Sequence, residues 1–387
     1  MTKLSKIFRS KFKKIKPIPA GIYHYQSSPD ADYQYRLHLR VEPDGIGILL
    51  INASTVLHLN QTATEFAFYI IKHTDQDEVI KQVSHRYNVS KEQAKQDFTE
   101  TKEKIFTIIN MPDLDPVTYL GIDRDTPYSG DISAPYRLDC AITYRLPEGV
   151  EPDIAPIQRV DKELSKQEWE KVIDIAWEAG IPHLIFTGGE PTLRDDLPSL
   201  ISHAENNGQV TGLLSDGLRL SNHEYLSELL QAGLDHLMII LQPHNEHSWK
   251  ALETILPEDL YTTVHITVNA ATRDHMKEIL TRLSKMGSNA ISLSTSSMEF
   301  SQDLENIAQL VTDLQMDLVW DLPVPYSELN PVALETAEDK LLGGAGRAWL
   351  YIEPDGDVLP GQGINNILGN ILKDPWSEIW KNRLTKK

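Results

Sequence analysis

The run Leu184–Thr187 reads as a strand and leads straight into Gly188-Gly189-Glu190-Pro191-Thr192-Leu193, ahead of a helical pattern beginning near Asp195. Two glycines let a backbone approach a ligand closely, and Glu190 sets a carboxylate and neighbouring carbonyls at a strand end. Those acceptors suit an ammonium group. A strand-to-helix turn that holds nothing has the same pattern. A second segment, Leu213-Leu214-Ser215-Asp216-Gly217, closes the next strand with a hydroxyl and a carboxylate. Further along, His244 and His247 flank Glu246 at a spacing that allows a shared metal. They match no recognised zinc motif and read as solvated surface residues, so no metal site is assigned. No nucleophile elbow, phosphate loop or dinucleotide fingerprint stands in a fitting context.

Positioning such groups requires a sheet. From residue 136 to about 325, strand patterns alternate with helical ones: Arg137–Thr143, His183–Thr187, Val210–Ser215, His236–Leu241, Thr262–Asn269, Ala290–Ser294 and Asp317–Trp320. This is an α/β pattern of repeated βα units, a parallel sheet either open or rolled into a partial barrel, with its chemistry at the carboxyl ends of the strands. Residues 30–110 read as a separate α+β module. A hairpin turns at Pro43-Asp44-Gly45, and three helical patterns follow, the last opening on Ser90-Lys91-Glu92-Gln93. Hairpin plus three helices suggests a winged-helix shape. Residues 111–135 read as a linker, and 340–387 as a small C-terminal region with a turn at Pro354–Asp357.

The chain has 387 residues, a formal charge of −19 and a single cysteine. That count excludes a disulfide framework and any metal centre built from several thiolates, and it points to a cytoplasmic chain. No apolar run is long enough to span a bilayer. Residues 1–16 carry seven basic side chains and no acid, with Leu4, Ile7, Phe8, Phe12 and Ile15 spaced for one helical face. The tail, residues 1–20, therefore reads either as a solvated leader or as a basic amphipathic segment that touches an anionic membrane surface. The acidic remainder argues against nucleic acid as a partner.

With those motifs in place, the chain resembles radical S-adenosylmethionine (SAM) enzymes that mature ribosomal peptides. Gly188, Gly189, Glu190 and Pro191 resemble the loop by which that family holds the amino group of the cofactor, and Ser215 and Asp216 its next cofactor-contacting segment. Leu138–Arg145 resembles the first strand, and Leu350–Pro360 with Gly369–Ile371 a SPASM extension. Residues 30–110 resemble the PqqD-like recognition element. The resemblance implies a peptide partner, added as a strand to the hairpin edge and laid against the third helix. Arg36, His38 and Arg40 alternate along the hairpin and Lys91 and Lys95 sit at helical spacing, so these five are the candidates to meet it.

The departures are systematic. Where the family carries Cys-x3-Cys-x2-Cys, this chain has Leu146, Val150 and Asp153, and the best-matching SPASM ligand positions are Gly343 and Gly361. Leucine and valine give iron no donor, and one aspartate is a hard ligand poorly matched to a sulfide cluster. The expectation is a pseudoenzyme with no iron–sulfur cluster and no catalytic residue, a peptide-binding or scaffold subunit beside an active maturase. The competing expectation is an enzyme that binds SAM and uses it on a peptide, with or without a cluster.

Overall fold

The computed structural model describes residues 18–28, 30–31, 33–53, 55–111, 114, 119–120, 132–148, 159–288, 290–295, 297–319 and 344–383. The basic segment 1–16, Val150, Asp153, Gly343 and most of the 111–135 linker lie outside the described residues. The chain divides into two compact units, 1–125 and 126–387.

The first unit begins with four strands, β1 (Gly21–Gln26), β2 (Arg36–Val41), β3 (Gly47–Ile51) and β4 (Thr55–Leu59), paired antiparallel in that order. Gly45 turns β2 into β3 at φ +87°, and the backbone N–H of Glu42 donates to the Ile46 carbonyl across the turn. Three helices follow: α1 (Gln61–Ile71), α2 (Gln76–Tyr87) and α3 (Lys91–Asn110). Asn60, Asp75 and Ser90 each cap one by accepting from the first turn. Leu37, Leu39, Val41, Leu49 and Ile51 pack with Phe66, Ile70 and Phe98 into the core of this unit. Strand β1 was not legible in the sequence; its alternation rests on Tyr23 and Tyr25, which are only partly buried against that core.

The alternate positions of β2 and β3 are buried as well. His38 and Arg40, read from the sequence as part of a peptide-meeting surface, are 3% and 4% exposed. Both inner strands of this meander are covered on two faces, a burial that a two-stranded hairpin with one wet face would not give.

The second unit carries six βα units in succession. These are β5 (Arg137–Thr143) and α4 (Lys166–Glu178), β6 (His183–Gly188) and α5 (Leu197–Asn207), β7 (Val210–Ser215) and α6 (His223–Gln231), β8 (His236–Ile240) and α7 (Glu246–Ile255), β9 (Tyr261–Val268) and α8 (Met276–Lys285), and β10 (Ala290–Thr295) and α9 (Ser301–Asp313). Then come β11 (Asp317–Leu318), β12 (Trp349–Ile352), β13 (Asp357–Leu359), β14 (Gly369–Asn370) and α10 (Trp376–Asn382). The sheet order is β11-β10-β9-β8-β7-β6-β5-β12-β13-β14, open at both ends among the described residues. Strand β12 runs parallel to β5, with Trp349 opposite Arg137, so the C-terminal region is continuous with the sheet. Among the described residues, no helix is long and apolar enough to cross a membrane.

The register gives this sheet two unlike faces. Leu138, Cys140, Leu184, Phe186, Leu213, Leu237, Val264 and Ile291 share the apolar face. The opposite face holds Arg137, Asp139, His183, His236, His265, Ser292 and Ser294. There Arg137 pairs with Asp139 at 2.8 Å, His183 and His236 share a hydrogen bond between their Nε2 atoms at 2.7 Å, and His265 sits between the Ser292 and Ser294 hydroxyls. Burial pushes His236 down to about 4 and His265 down to about 3, and holds His183 well below its ordinary range. Lowered in this way, all three rings favour the neutral form, the one a packed sheet face accommodates.

Candidate functional site at the carboxyl ends of the strands

The end of β6 is welded to the segment leaving β5. The N–H of Gly189 donates to the Thr143 carbonyl at 2.7 Å, and that of Glu190 to the Arg145 carbonyl at 2.8 Å. A Cβ on Gly188 would stand 2.0 Å from the Thr143 oxygen, and one on Gly189 would stand 2.2 Å from that of Arg145. Gly188 also holds φ +131°, a conformation that side chains resist. The glycines therefore have a use apart from any ligand: they let two backbones touch.

Glu190 is 2% exposed and both of its carboxylate oxygens accept hydrogen bonds. One oxygen accepts from the Thr192 N–H (2.9 Å), the Thr192 hydroxyl (2.6 Å) and the Ser215 hydroxyl (2.9 Å); the other accepts the Asp216 N–H (2.8 Å). Four donors favour the charged form, but burial and the neighbouring Asp216 outweigh them and push Glu190 up to about 8. Burial raises Asp216 as well, and its carboxylate accepts the Leu218 N–H at 2.9 Å. Glu190 thus ties the β6 loop to the end of β7. An arriving ammonium would find each oxygen of that side chain already accepting a donor.

Beside this latch lies a network the sequence reading did not single out. Arg194 donates to the carbonyls of Ile142 and Leu164, each at 3.0 Å, and makes a bidentate pair with Asp196. That guanidinium holds the Asp196 carboxyl below its usual range. Glu163 accepts the Thr143 hydroxyl and lies 3.5 Å from Arg145 and 3.9 Å from Arg194. A cavity of about 390 Å³ opens here, lined by Tyr144, Arg145, Val160, Asp161, Glu163 and Pro354. An Arg-Asp-Asp run directly after the glycine motif was the available signal.

Residues 140–298 match the radical SAM superfamily model. Two curated relatives are named PqqA peptide cyclase. The protein of Bradyrhizobium diazoefficiens is 29% identical over 275 residues, 62% of this chain and 71% of its own length. That of Streptomyces rochei is 27% identical over 279 residues, 64% of this chain and 76% of its own. Among solved structures, Streptococcus suis SuiB bound to S-adenosylmethionine superposes with a TM-score of 0.60 at 13% identity, over 89% of this chain and 86% of that one. SuiB bound to its precursor peptide SuiA gives 0.60 and 13%, over 88% and 86%. The second unit has the radical SAM fold.

A radical SAM cluster does not fit the donors present. Cys140, the one cysteine in the sequence, is fully buried on the apolar face of β5, and burial pushes its thiol far up. Leu146 is half-buried and offers iron nothing. Gly361 is buried, and a Cβ there would lie 3.2 Å from that of Ala345. Around the segment after β5, the polar groups lining the cavity are hydroxyl, carboxylate and guanidinium, set among Val160 and Pro354. His244 and His247 are exposed, and neither belongs to a converging metal-capable group among the described residues.

In the first unit the peptide candidates separate. Lys91 and Lys95 are exposed on α3, Arg36 is half-buried, and His38 and Arg40 are interior, with Arg40 paired to Glu42 at 3.3 Å. The sequence reading missed a cavity of about 200 Å³ whose lining includes Tyr25, Tyr35, Tyr69, Phe98, Lys102 and Phe106, beside β1, α1 and α3.

Proposed function

We propose that this chain is a radical-SAM-like protein of the peptide-maturation type that has given up its iron–sulfur chemistry and works as a peptide-binding or scaffold subunit beside an active maturase. The observation that carries the reading is the donor set: a single, interior cysteine, in a fold whose chemistry needs several thiolates. No radical step is assigned, because no residue here can hold the cluster that would supply the electron. The names of the relatives and the SuiB–SuiA complex support a peptide as the ligand. The first unit serves as a PqqD-like recognition element, with Lys91 and Lys95 on α3 beside the bound strand, and the C-terminal strands act as a degenerate SPASM region.

The test is anaerobic reconstitution with iron and sulfide, followed by metal and sulfide analysis. Protein that stays colourless and iron-free supports the reading. Stoichiometric iron and sulfide with visible charge-transfer absorption overturns it.

A second reading keeps SAM as a ligand without a cluster. The intact Gly188–Pro191 loop, with Ser215 and Asp216 held against it, favours this. Calorimetry separates the two: saturable binding of SAM supports the second reading, and no heat at millimolar cofactor removes it.

A further inference from the structure

The turn joining β12 to β13, Glu353-Pro354-Asp355-Gly356-Asp357, gathers three carboxylates, one oxygen of each lying within 4.8 Å of the others. The innermost is fully buried. One oxygen of Glu353 accepts the Tyr144 hydroxyl at 3.0 Å and faces Arg159 Nε at 3.4 Å. Its other oxygen is buried and has no donor among the described residues. A buried carboxylate oxygen with no donor is costly, and native structures nearly always satisfy one with a proton donor, a water or a cation.

Several contacts fix the turn. Asp357 N–H donates to Asp355 at 3.2 Å, and Asn370 donates its side-chain amide both to the Asp355 carbonyl (3.1 Å) and to the Asp357 carboxylate (2.8 Å). Gly356, at φ +90°, donates its N–H to the Glu353 carbonyl. These bonds order the turn and leave one carboxylate oxygen on each acid uncommitted among the described residues. Among the described residues, three carboxylates set against the Arg159 guanidinium leave excess negative charge in a half-buried site.

We propose that Glu353, Asp355 and Asp357 bind one hard divalent cation of the calcium class, clamping the β12–β13 turn beneath Tyr144 at the end of β5. The donors are all oxygen, with no imidazole or thiolate, which favours calcium over zinc or iron. Oxygens on opposite sides of a calcium ion stand about 4.6–5.2 Å apart, given the usual bond lengths, so the observed spread suits one shared ion.

The experiment titrates terbium into full-length, chelator-treated protein and reads luminescence sensitised by the Tyr144 and Tyr351 rings. One saturable equivalent, displaced by calcium, is expected. Asp355→Asn and Asp357→Asn should each weaken it at least tenfold, and Tyr144→Phe should dim the emission at saturation while binding persists. Wild-type protein with no saturable signal up to about 1 mM, the weak end of protein calcium sites, overturns the proposal whatever the variants do. So does saturable emission that both aspartate variants leave unchanged.

Discussion

Two neighbouring strand ends of the second unit have had opposite fates. At the ends of β6 and β7, Gly188, Gly189, Glu190, Ser215 and Asp216 stand in one closed hydrogen-bonded latch. At the end of β5, Leu146, which we propose stands where a relative would carry a metal ligand, has no sulfur and lies beside a network of Glu163, Arg145 and Arg194. The difference separates structural need from chemical need. The glycine motif has backbone contacts to keep whether or not a cofactor ever arrives; a cysteine held only by its metal has nothing else to keep it.

The sharpest way to break that comparison is to give the loop a side chain. Gly189→Ala places a methyl group against the Arg145 carbonyl, and we expect a loss of roughly 3–5 kcal/mol in urea unfolding. A loss under 1 kcal/mol would mean the two backbones do not need to touch.

Next comes Glu190→Gln, read as a function of pH. The folded protein raises this group from an ordinary 4.5 to about 8, so burying the carboxylate costs stability once pH exceeds the lower value. Wild type should therefore lose several kcal/mol of stability relative to the glutamine variant as pH climbs from about 4.5 to about 8, with parallel curves on either side. Curves that stay parallel throughout would show that the latch holds its charge without penalty.

Restoring sulfur sharpens the other arm. Leu146→Cys, Val150→Cys and Asp153→Cys together should give a chain that retains sub-stoichiometric iron after anaerobic reconstitution. Complete failure would show that these positions do not correspond to the family's ligands. The smallest effect belongs to the first unit. Lys91→Ala with Lys95→Ala should move stability by less than about 0.5 kcal/mol, because both side chains are exposed, while weakening capture of an acidic peptide. Unchanged capture would remove them from the binding surface.

The parallel strands were legible because each is a short apolar run between helical periods: six appear where the pattern put them, and the seventh as Asp317–Leu318, Trp320 lying outside the described residues. At the start of α4, Ser165 and Glu168 form both halves of a capping box. Less was legible where burial depends on partners distant in sequence. Arg36, His38 and Arg40 alternate as an exposed strand face would, yet His38 and Arg40 are interior. The sequence also hinted at an ammonium-binding carboxylate in Glu190, but not that Ser215 and Asp216, some 25 residues on, would occupy it. Side chains are assigned by neighbours, and a linear pattern reports neighbours only within one element.

The parallel pairing of β12 with β5 sets a constraint on biosynthesis. As the chain leaves the ribosome, β5 can pair with β6 on one edge while its other partner, β12, about two hundred residues further along the chain, is still untranslated. During that interval an apolar strand offers an uncovered row of amides and carbonyls, the kind of template that invites intermolecular pairing. Nascent chains stalled before Trp349 should therefore be the species that recruits chaperones or aggregates.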